Sequence, residues 1–95
     1  MREVAEERLS KLKRRNLLGR IANNPKSARF TEVVFLLQAF GFRLARRKGS
    51  HNIYIHPAIP VPVNIQDVHG NAKPYQVRQF LKIVERFNLK LEESQ

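Results

Sequence analysis

The chain has 95 residues, the length of one domain with a small hydrophobic core. It carries 18 lysine and arginine residues against 8 acidic residues, a formal net charge of +10, and it contains no cysteine. These counts exclude disulfide bonds, thiolate zinc sites and cysteine nucleophiles, and the charge favours a polyanionic partner, with nucleic acid first. No apolar stretch approaches the roughly 20 residues of a membrane span, and the first twenty residues lack the apolar centre of a signal peptide. We therefore expect a cytoplasmic protein.

The positive charge is concentrated in the first half of the chain. Residues 1–50 contain 13 basic and 4 acidic side chains, whereas residues 51–95 contain 5 and 4. An anionic partner is attracted to the part of a surface where the opposite charge is densest. We therefore expect the first half of the chain to make most of the contacts with this partner.

The N-terminal region has the pattern of a charged helix. From Arg2 to about Leu18 the residues favour a helix with one narrow apolar stripe, formed by Ala5, Leu9 and Leu12. Gly19 and the later Asn-Asn-Pro sequence interrupt this pattern, so residues 20–29 are expected to form a linker. The predicted organisation is a basic helical arm and linker at 1–28, a compact domain at 29–91, and a tail at 92–95.

The compact domain is predicted to begin with a helix and to continue with three strands. Thr31 is the expected N-cap, Gly41 ends the helix, and the buried stripe consists of Val33, Leu36, Leu37 and Phe40. Alternation then places Phe42 and Leu44 on one face of the first strand, and Arg43, Ala45 and Arg47 on its basic face. The second strand covers residues 51–56. The third contains Val61, Val63 and Ile65, and Pro62 places it at a sheet edge.

The rest of the domain is predicted to be a polar loop and a final helix. Residues 66–73 form the loop around His69 and Gly70, and Pro74 suits the first turn of the helix. The helical spacing recurs at Val77, Phe80, Leu81, Val84 and Phe87. Helix, three antiparallel strands and helix make an α+β fold with one open sheet face, in the element order of double-stranded-RNA-binding domains.

The segment Arg46–His51 carries the residues best suited to chemistry. Three cations, a glycine and a serine directly precede a histidine at a turn between strands. The cations can hold a phosphodiester, and histidine is the side chain that ionises nearest to neutral pH. For RNA, whose own 2′-hydroxyl is the nucleophile, proton transfer and charge stabilisation are almost sufficient. The candidate RNA-binding residues are Arg43, Arg46, Arg47, Lys48 and Ser50.

The alternation of side chains along the second strand leaves two interpretations of His51 open. If Ile53 and Ile55 are core residues, His51 begins on the core side of the strand and is a structural histidine. Its position at the strand end also allows the ring to face solvent and to act in catalysis. His56 has the opposite parity, so the two rings do not converge on a metal. His69 is a second candidate acid or base if the fold brings its loop close to His51.

Other catalytic classes lack the required residues. The carboxylates Glu32, Asp67 and Glu85 are scattered, whereas a two-metal nuclease normally needs a cluster of them, so we expect no metal and no other cofactor. Ser50 has a neighbouring histidine but no aspartate placed by a motif, which argues against a serine nucleophile.

The order of motifs resembles the HicA family of bacterial toxins. The landmarks are Gly41-Phe42, the Gly-Ser-His sequence at 49–51, His56-Pro57, a valine-rich strand, a His-Gly loop and the segment Pro74–Arg78. The resemblance covers about residues 29–91. It implies a double-stranded-RNA-binding-like fold, metal-independent cleavage of messenger RNA with His51 as the catalytic residue, and inhibition by a HicB antitoxin.

Two features depart from the compact family pattern. About 28 residues precede the domain, and their basic arm is expected to bind RNA, to dock the partner or to be disordered. The proline-rich stretch 58–62 is expected to be a loop instead of a short hairpin turn.

The sequence supports three functions from different classes. The preferred hypothesis is a toxin that cleaves mRNA as an endoribonuclease. The alternative is a non-catalytic basic RNA-binding module, whose binding is sensitive to salt and survives loss of His51. A third hypothesis is an interaction protein whose charge matches an acidic partner. The oligomeric state and the RNA cut site cannot be read from the sequence.

Overall fold

The computed structural model describes residues 2–91, with side chains from residue 5 onward, so the predicted tail at 92–95 lies outside the described residues. The elements of this part are α1 (Arg2–Asn23), a short 3-10 helix (Pro25–Ser27), α2 (Phe30–Ala39), β1 (Arg43–Lys48), β2 (His51–His56), β3 (Ile59–Val68), β4 (Asn71–Ala72) and α3 (Pro74–Arg86). The strands form one antiparallel sheet in the order β1-β2-β3-β4. The predicted α+β fold is confirmed, and the structure adds the short fourth strand.

Helices α2 and α3 cover one face of the sheet. Their apolar stripes and the inward residues of β2 and β3 form one core, in which Val33, Leu36, Leu37, Ile65, Val77 and Phe80 are completely buried. The Phe80 ring packs edge-on against Phe40 and Phe42, with centroids 5.9 and 6.1 Å apart. Truncation of a buried phenylalanine to alanine costs about 3–5 kcal/mol, so this cluster anchors α3 to the sheet. The opposite sheet face is open.

A β-bulge in β1 changes which cations share a face. The pairing with β2 skips one residue between Leu44 and Arg46, so Arg46 lies opposite Ile53 and Arg47 lies opposite Asn52. An extra residue in one strand reverses the alternation beyond it. Arg43 and Arg46 therefore share the open face, and the predicted common face for Arg43 and Arg47 is wrong.

Three two-residue turns connect the strands. Gly49 and Ser50 link β1 to β2, and Gly49 has the positive φ of 60° that the first position of a type II′ turn requires. His69 and Gly70, with φ of 54° and 87°, link β3 to β4. The predicted polar loop at 66–73 is thus a hairpin, because a His-Gly pair adopts the left-handed conformation of a type I′ turn.

The proline-rich stretch is also part of a hairpin. Residues 57 and 58 form the turn, since His56 pairs with Ile59, and β3 begins at Ile59 where a loop was predicted. The other neighbour of β3 is β4, which pairs with Asp67 and Val68. β3 therefore lies between β2 and β4, and its predicted position at a sheet edge is wrong. Because β4 is so short, the side of β3 that faces away from β2 has no neighbouring strand at Pro62, where a proline is tolerated.

The N-terminal helix continues into the predicted linker and joins the core. Helix α1 extends to Asn23, and both Ile21 and Ala28 are completely buried. The linker prediction for residues 20–29 is therefore wrong, because two apolar side chains there pack into the core. Toward the start of the helix, Leu9 and Leu12 are more than half exposed. Among residues 2–91, no helix combines the length and the apolar character that crossing a membrane requires.

Glu32 joins α1 to α2 and caps α2. Its carboxylate accepts a hydrogen bond from the Arg29 backbone N–H at 3.0 Å and forms an ion pair with Arg20. Arg29, not Thr31, is therefore the N-cap residue. Burial alone raises the pKa of Glu32, but the hydrogen bonds and charges of Arg29 and Arg20 together hold this pKa below its ordinary value. The predicted helix end is confirmed at Gly41, whose φ is 94°.

Candidate functional site

The open sheet face carries a row of cations beside a histidine. Arg43, Arg46 and Lys48 of β1 are exposed and lie opposite Ile55, Ile53 and His51 of β2. Arg46, Lys48, His51 and Ile53 line a shallow depression of about 390 Å³. An exposed row of like charges attracts phosphate, and Ile53 adds one apolar side chain to the lining of the depression. The face thus places side chains that can attract an anion next to an imidazole ring.

His51 is the first residue of β2, and its side chain is exposed. The residues of β2 that face the helices are Asn52 and Tyr54, both buried. The alternation therefore excludes the interpretation of His51 as a core histidine. The sequence alone did not decide between the two faces, because the isoleucines, which are only partly buried, look more like core residues than an asparagine and a tyrosine do.

Asn64 of β3 fixes the orientation of the His51 ring. Its side-chain amide faces Nδ1 of His51, with Oδ1 at 3.2 Å and Nδ2 at 3.0 Å. This contact leaves Nε2 of the ring available to a substrate. Asn64 was not among the predicted site residues, although it is a polar residue between Val63 and Ile65 in an otherwise apolar stretch of the strand.

Arg47 lies on the helix-covered side of the sheet, held by a buried asparagine. Its Nε donates a hydrogen bond of 2.7 Å to Oδ1 of Asn52. Nδ2 of Asn52 in turn donates to the backbone carbonyls of Ser50, at 3.1 Å, and Ile65, at 3.2 Å. Asn52 thereby satisfies its polar groups in the interior and ties the Gly49–Ser50 turn to β3. This role of Asn52 was not predicted from the sequence.

A pair of buried glutamines connects the same turn to α3. Gln66 donates from its backbone N–H to Oε1 of Gln76 at 2.8 Å and accepts from Nε2 of Gln76 at 2.9 Å. Its own Nε2 donates to Oγ of Ser50 at 3.3 Å. Ser50, predicted to bind RNA, is therefore already a hydrogen-bond acceptor within the protein. The network gives the turn before His51 a defined position relative to the core.

The other two histidines lie apart from this arrangement. His56 is at the far end of β2, where its ring packs on Phe42 with centroids 5.1 Å apart and its Nδ1 accepts the Ala58 N–H at 3.0 Å. His69 is exposed in the β3–β4 turn, and within residues 5–91 no hydrogen bond joins it to His51. Nor do any three histidine, aspartate or glutamate side chains of the described part cluster as metal ligands.

The fold and this site define a class: a small α+β protein whose open sheet face presents one histidine among cations at a hairpin turn. The family described as HicA toxin of bacterial toxin-antitoxin matches residues 30–85, more than half of the chain. The chain belongs to the HicA family and is a toxin of the toxin-antitoxin kind. No curated protein and no solved structure matches the chain.

Proposed function

We propose that this toxin is an endoribonuclease that cleaves messenger RNA, with His51 as its catalytic residue. The observation that carries the proposal is the placement of His51: its ring is exposed, beside Lys48 and Arg46, and is held at Nδ1 by Asn64. Membership of the HicA family supports the same activity.

In the proposed complex the RNA backbone lies along the row of Arg43, Arg46 and Lys48. Phosphate contacts of this kind supply most of the affinity without reading the sequence. Arg47 and Ser50, on the other side of the turn, complete the binding surface. The compact domain at 29–91 would then bind and cut the RNA, and the basic arm at 1–28 would extend the positively charged surface.

The chemistry requires a base for the 2′-hydroxyl of the ribose. General-base action requires the tautomer in which Nδ1–H of His51 donates to Oδ1 of Asn64. In that tautomer Nε2 is unprotonated and accepts the 2′-hydroxyl proton while the oxygen attacks the adjacent phosphorus. The bond from phosphorus to the 5′-oxygen breaks, and that oxygen takes the proton that His51 has gained. The products are a 2′,3′-cyclic phosphate and a 5′-hydroxyl, and no metal is needed because the nucleophile is part of the substrate.

The antitoxin of such a toxin must mask the active surface. We expect a HicB-type antitoxin to place an acidic segment over residues 46–51, since this turn combines the cations with His51. Hydrogen exchange with and without the antitoxin checks this: protection of residues 46–51 is expected, and protection confined to other segments contradicts it. Because messenger RNA is the substrate, the site of action is the cytoplasm.

The chemistry is tested with an RNA that carries one 2′-deoxynucleotide at a mapped cut site. Loss of cleavage at that position, and cyclic phosphate ends elsewhere, are expected because the attacking hydroxyl is missing. Cleavage at the deoxynucleotide, or 3′-hydroxyl ends, would contradict the mechanism. If the protein binds RNA without cutting it, the non-catalytic binding module replaces the ribonuclease.

A further inference from the structure

A second depression lies across the Gly49–Ser50 turn from His51. It has a volume of about 560 Å³, and its walls include the side chains of Phe30, Arg47, Asn52 and Asp67. Arg47 and Asn52 are on the helix-covered side of the hairpin, whereas His51 and Lys48 are on the open side. A single-stranded RNA that passes over the turn would therefore meet both depressions.

The charges of the two depressions differ. The depression beside His51 contains cations and no carboxylate. The second depression contains one cation and one carboxylate, so its formal charge is zero, and Asp67 repels a phosphate group. A neutral group with both hydrogen-bond donors and acceptors is the better ligand for it.

The two charged side chains are held in place by the protein. Arg47 donates from Nε to Asn52 at 2.7 Å, which leaves the N–H groups of its two terminal nitrogens for a ligand. Asp67 accepts the Gly70 N–H at Oδ1, at 2.8 Å, and both carboxylate oxygens retain lone pairs. Phe30, half-buried at the start of α2, adds an aromatic ring against which a flat group can stack.

We infer that this depression binds one unpaired base of the RNA, and that guanine is the preferred base. Guanine offers N1–H and N2–H donors, which match a carboxylate, and the O6 and N7 acceptors, which match a guanidinium. Recognition of splayed bases through stacking and edge hydrogen bonds is the usual way in which proteins read single-stranded RNA. The inference rests on the proposed function, since it assigns a base preference to the same RNA complex.

The test measures binding without cleavage. Fluorescence anisotropy is recorded for the His51→Ala chain with uridine octamers that carry one central guanosine, inosine or adenosine. We expect the guanosine octamer to bind at least about fivefold more tightly than the adenosine octamer, with inosine between them because it lacks the N2 amine. Equal affinities for guanosine and adenosine would overturn the inference.

Asp67→Asn provides the matched variant. An asparagine retains an acceptor for the Gly70 N–H, so the hairpin is preserved, but it no longer matches the two guanine donors. The ratio of guanosine to adenosine affinity should fall to about one. A preference for guanosine that survives would show that Asp67 does not recognise the guanine base. Arg47→Lys, which keeps the charge, should lower the same ratio and serves as the second variant if Asp67→Asn does not fold. A wild-type chain that fails to cut RNA while the preference persists would refute the ribonuclease alone.

Discussion

At the residue scale, the central feature is the contact between His51 and Asn64. A histidine that transfers protons from Nε2 needs its other nitrogen held, so that the ring keeps one orientation in both protonation states. Oδ1 of Asn64 can accept Nδ1–H before and after Nε2 gains a proton, and the ring does not have to turn during the reaction. In the proposed mechanism, Asn64 is thus a positioning residue that acts through His51.

Replacement of Asn64 by alanine is expected to lower the cleavage rate. Loss of the amide frees the ring to rotate, which should reduce kcat by about tenfold, a fraction of the full contribution of a general base. The effect should fall on kcat more than on KM, because Asn64 is not expected to hold phosphate. Initial rates on a fluorogenic RNA measure it, with Asn71→Ala as the control at an asparagine that does not contact His51. A wild-type kcat for Asn64→Ala would contradict this role.

Gly49 controls the turn that presents His51. Its φ of 60° is unfavourable for any residue with a Cβ atom, although no heavy atom lies within 4 Å of where that Cβ would be. Gly49→Ala should therefore lower the free energy of unfolding by about 1–2 kcal/mol through the backbone alone.

Gly19→Ala is the matched control for this prediction. Gly19 lies within α1 and also has no heavy atom within 4 Å of a Cβ, so alanine there should stabilise the protein by up to about 1 kcal/mol. Urea unfolding measures both variants. If both substitutions change the free energy of unfolding in the same direction, the geometry of the turn is not the cause of the effect of Gly49→Ala.

At the element scale, the attachment of α1 distinguishes the structure from the sequence-based prediction. The helix is held by buried Ile21 and by Arg20, which donates to the backbone carbonyl and hydroxyl of Ser27 and pairs with Glu32. The first part of α1 carries exposed leucines, whereas its last turns are part of the core. The arm is therefore fixed to the domain at its C-terminal end.

The pKa of Glu32 predicts how this attachment depends on pH. A carboxyl whose folded-state pKa is lowered stabilises the fold above its unfolded pKa, and this contribution is lost as the pH falls through the lower folded value. Glu32→Gln should thus be less stable than the wild type at pH 7, and the difference should shrink toward pH 3. Urea midpoints at the two pH values test this. If the difference in stability between Glu32→Gln and the wild type is equal at the two pH values, the ion pair is not its source.

The elements were predictable where the apolar spacing was regular. Helices α2 and α3 follow from their repeats, and Pro74 at the start of α3 and Gly41 after α2 follow from backbone preferences. The bulge in β1 was not predictable from the sequence, because a bulge adds a residue to a strand without any change in composition. The end of α1 was not predictable either. Asn23 and Pro25 signal a break in the helix, but the burial of Ile21 depends on tertiary packing.

The candidate site was predictable in part. A histidine after three cations and a Gly-Ser turn identifies His51 and its cationic neighbours as a group. The partners of this group come from sheet register and packing: Asn64 is 13 positions from His51, and Gln76 is 10 positions from Gln66. No local pattern links residues at such separations, so only the fold reveals these contacts.

At the scale of the whole molecule, the two faces of the sheet differ in charge and in burial. The basic residues are concentrated in residues 1–50, and β1 brings Arg43, Arg46 and Lys48 onto the open sheet face. The helices close the other face around a continuous apolar core. The molecule can therefore bind a polyanion along one surface without disturbing its core.

The salt dependence of RNA binding tests this division of the surface. Each phosphate contact to single-stranded RNA contributes about 0.7 to the slope of log affinity against log salt concentration. Lys48→Gln should reduce the slope by about that amount. Lys82→Gln, which removes an exposed cation of α3, should leave the slope unchanged. Filter binding between low and moderate salt measures both. Equal slopes for Lys48→Gln and the wild type would place the RNA elsewhere.

The central claim is that His51 performs the chemistry, and cleavage of a long RNA in excess chelator tests it most directly. The wild type and His51→Ala are compared after circular dichroism shows that both are folded. We predict that the wild type cuts the RNA and that the variant is slower by at least about a hundredfold, the contribution of a general base. Cleavage by the variant at the wild-type rate would contradict the account.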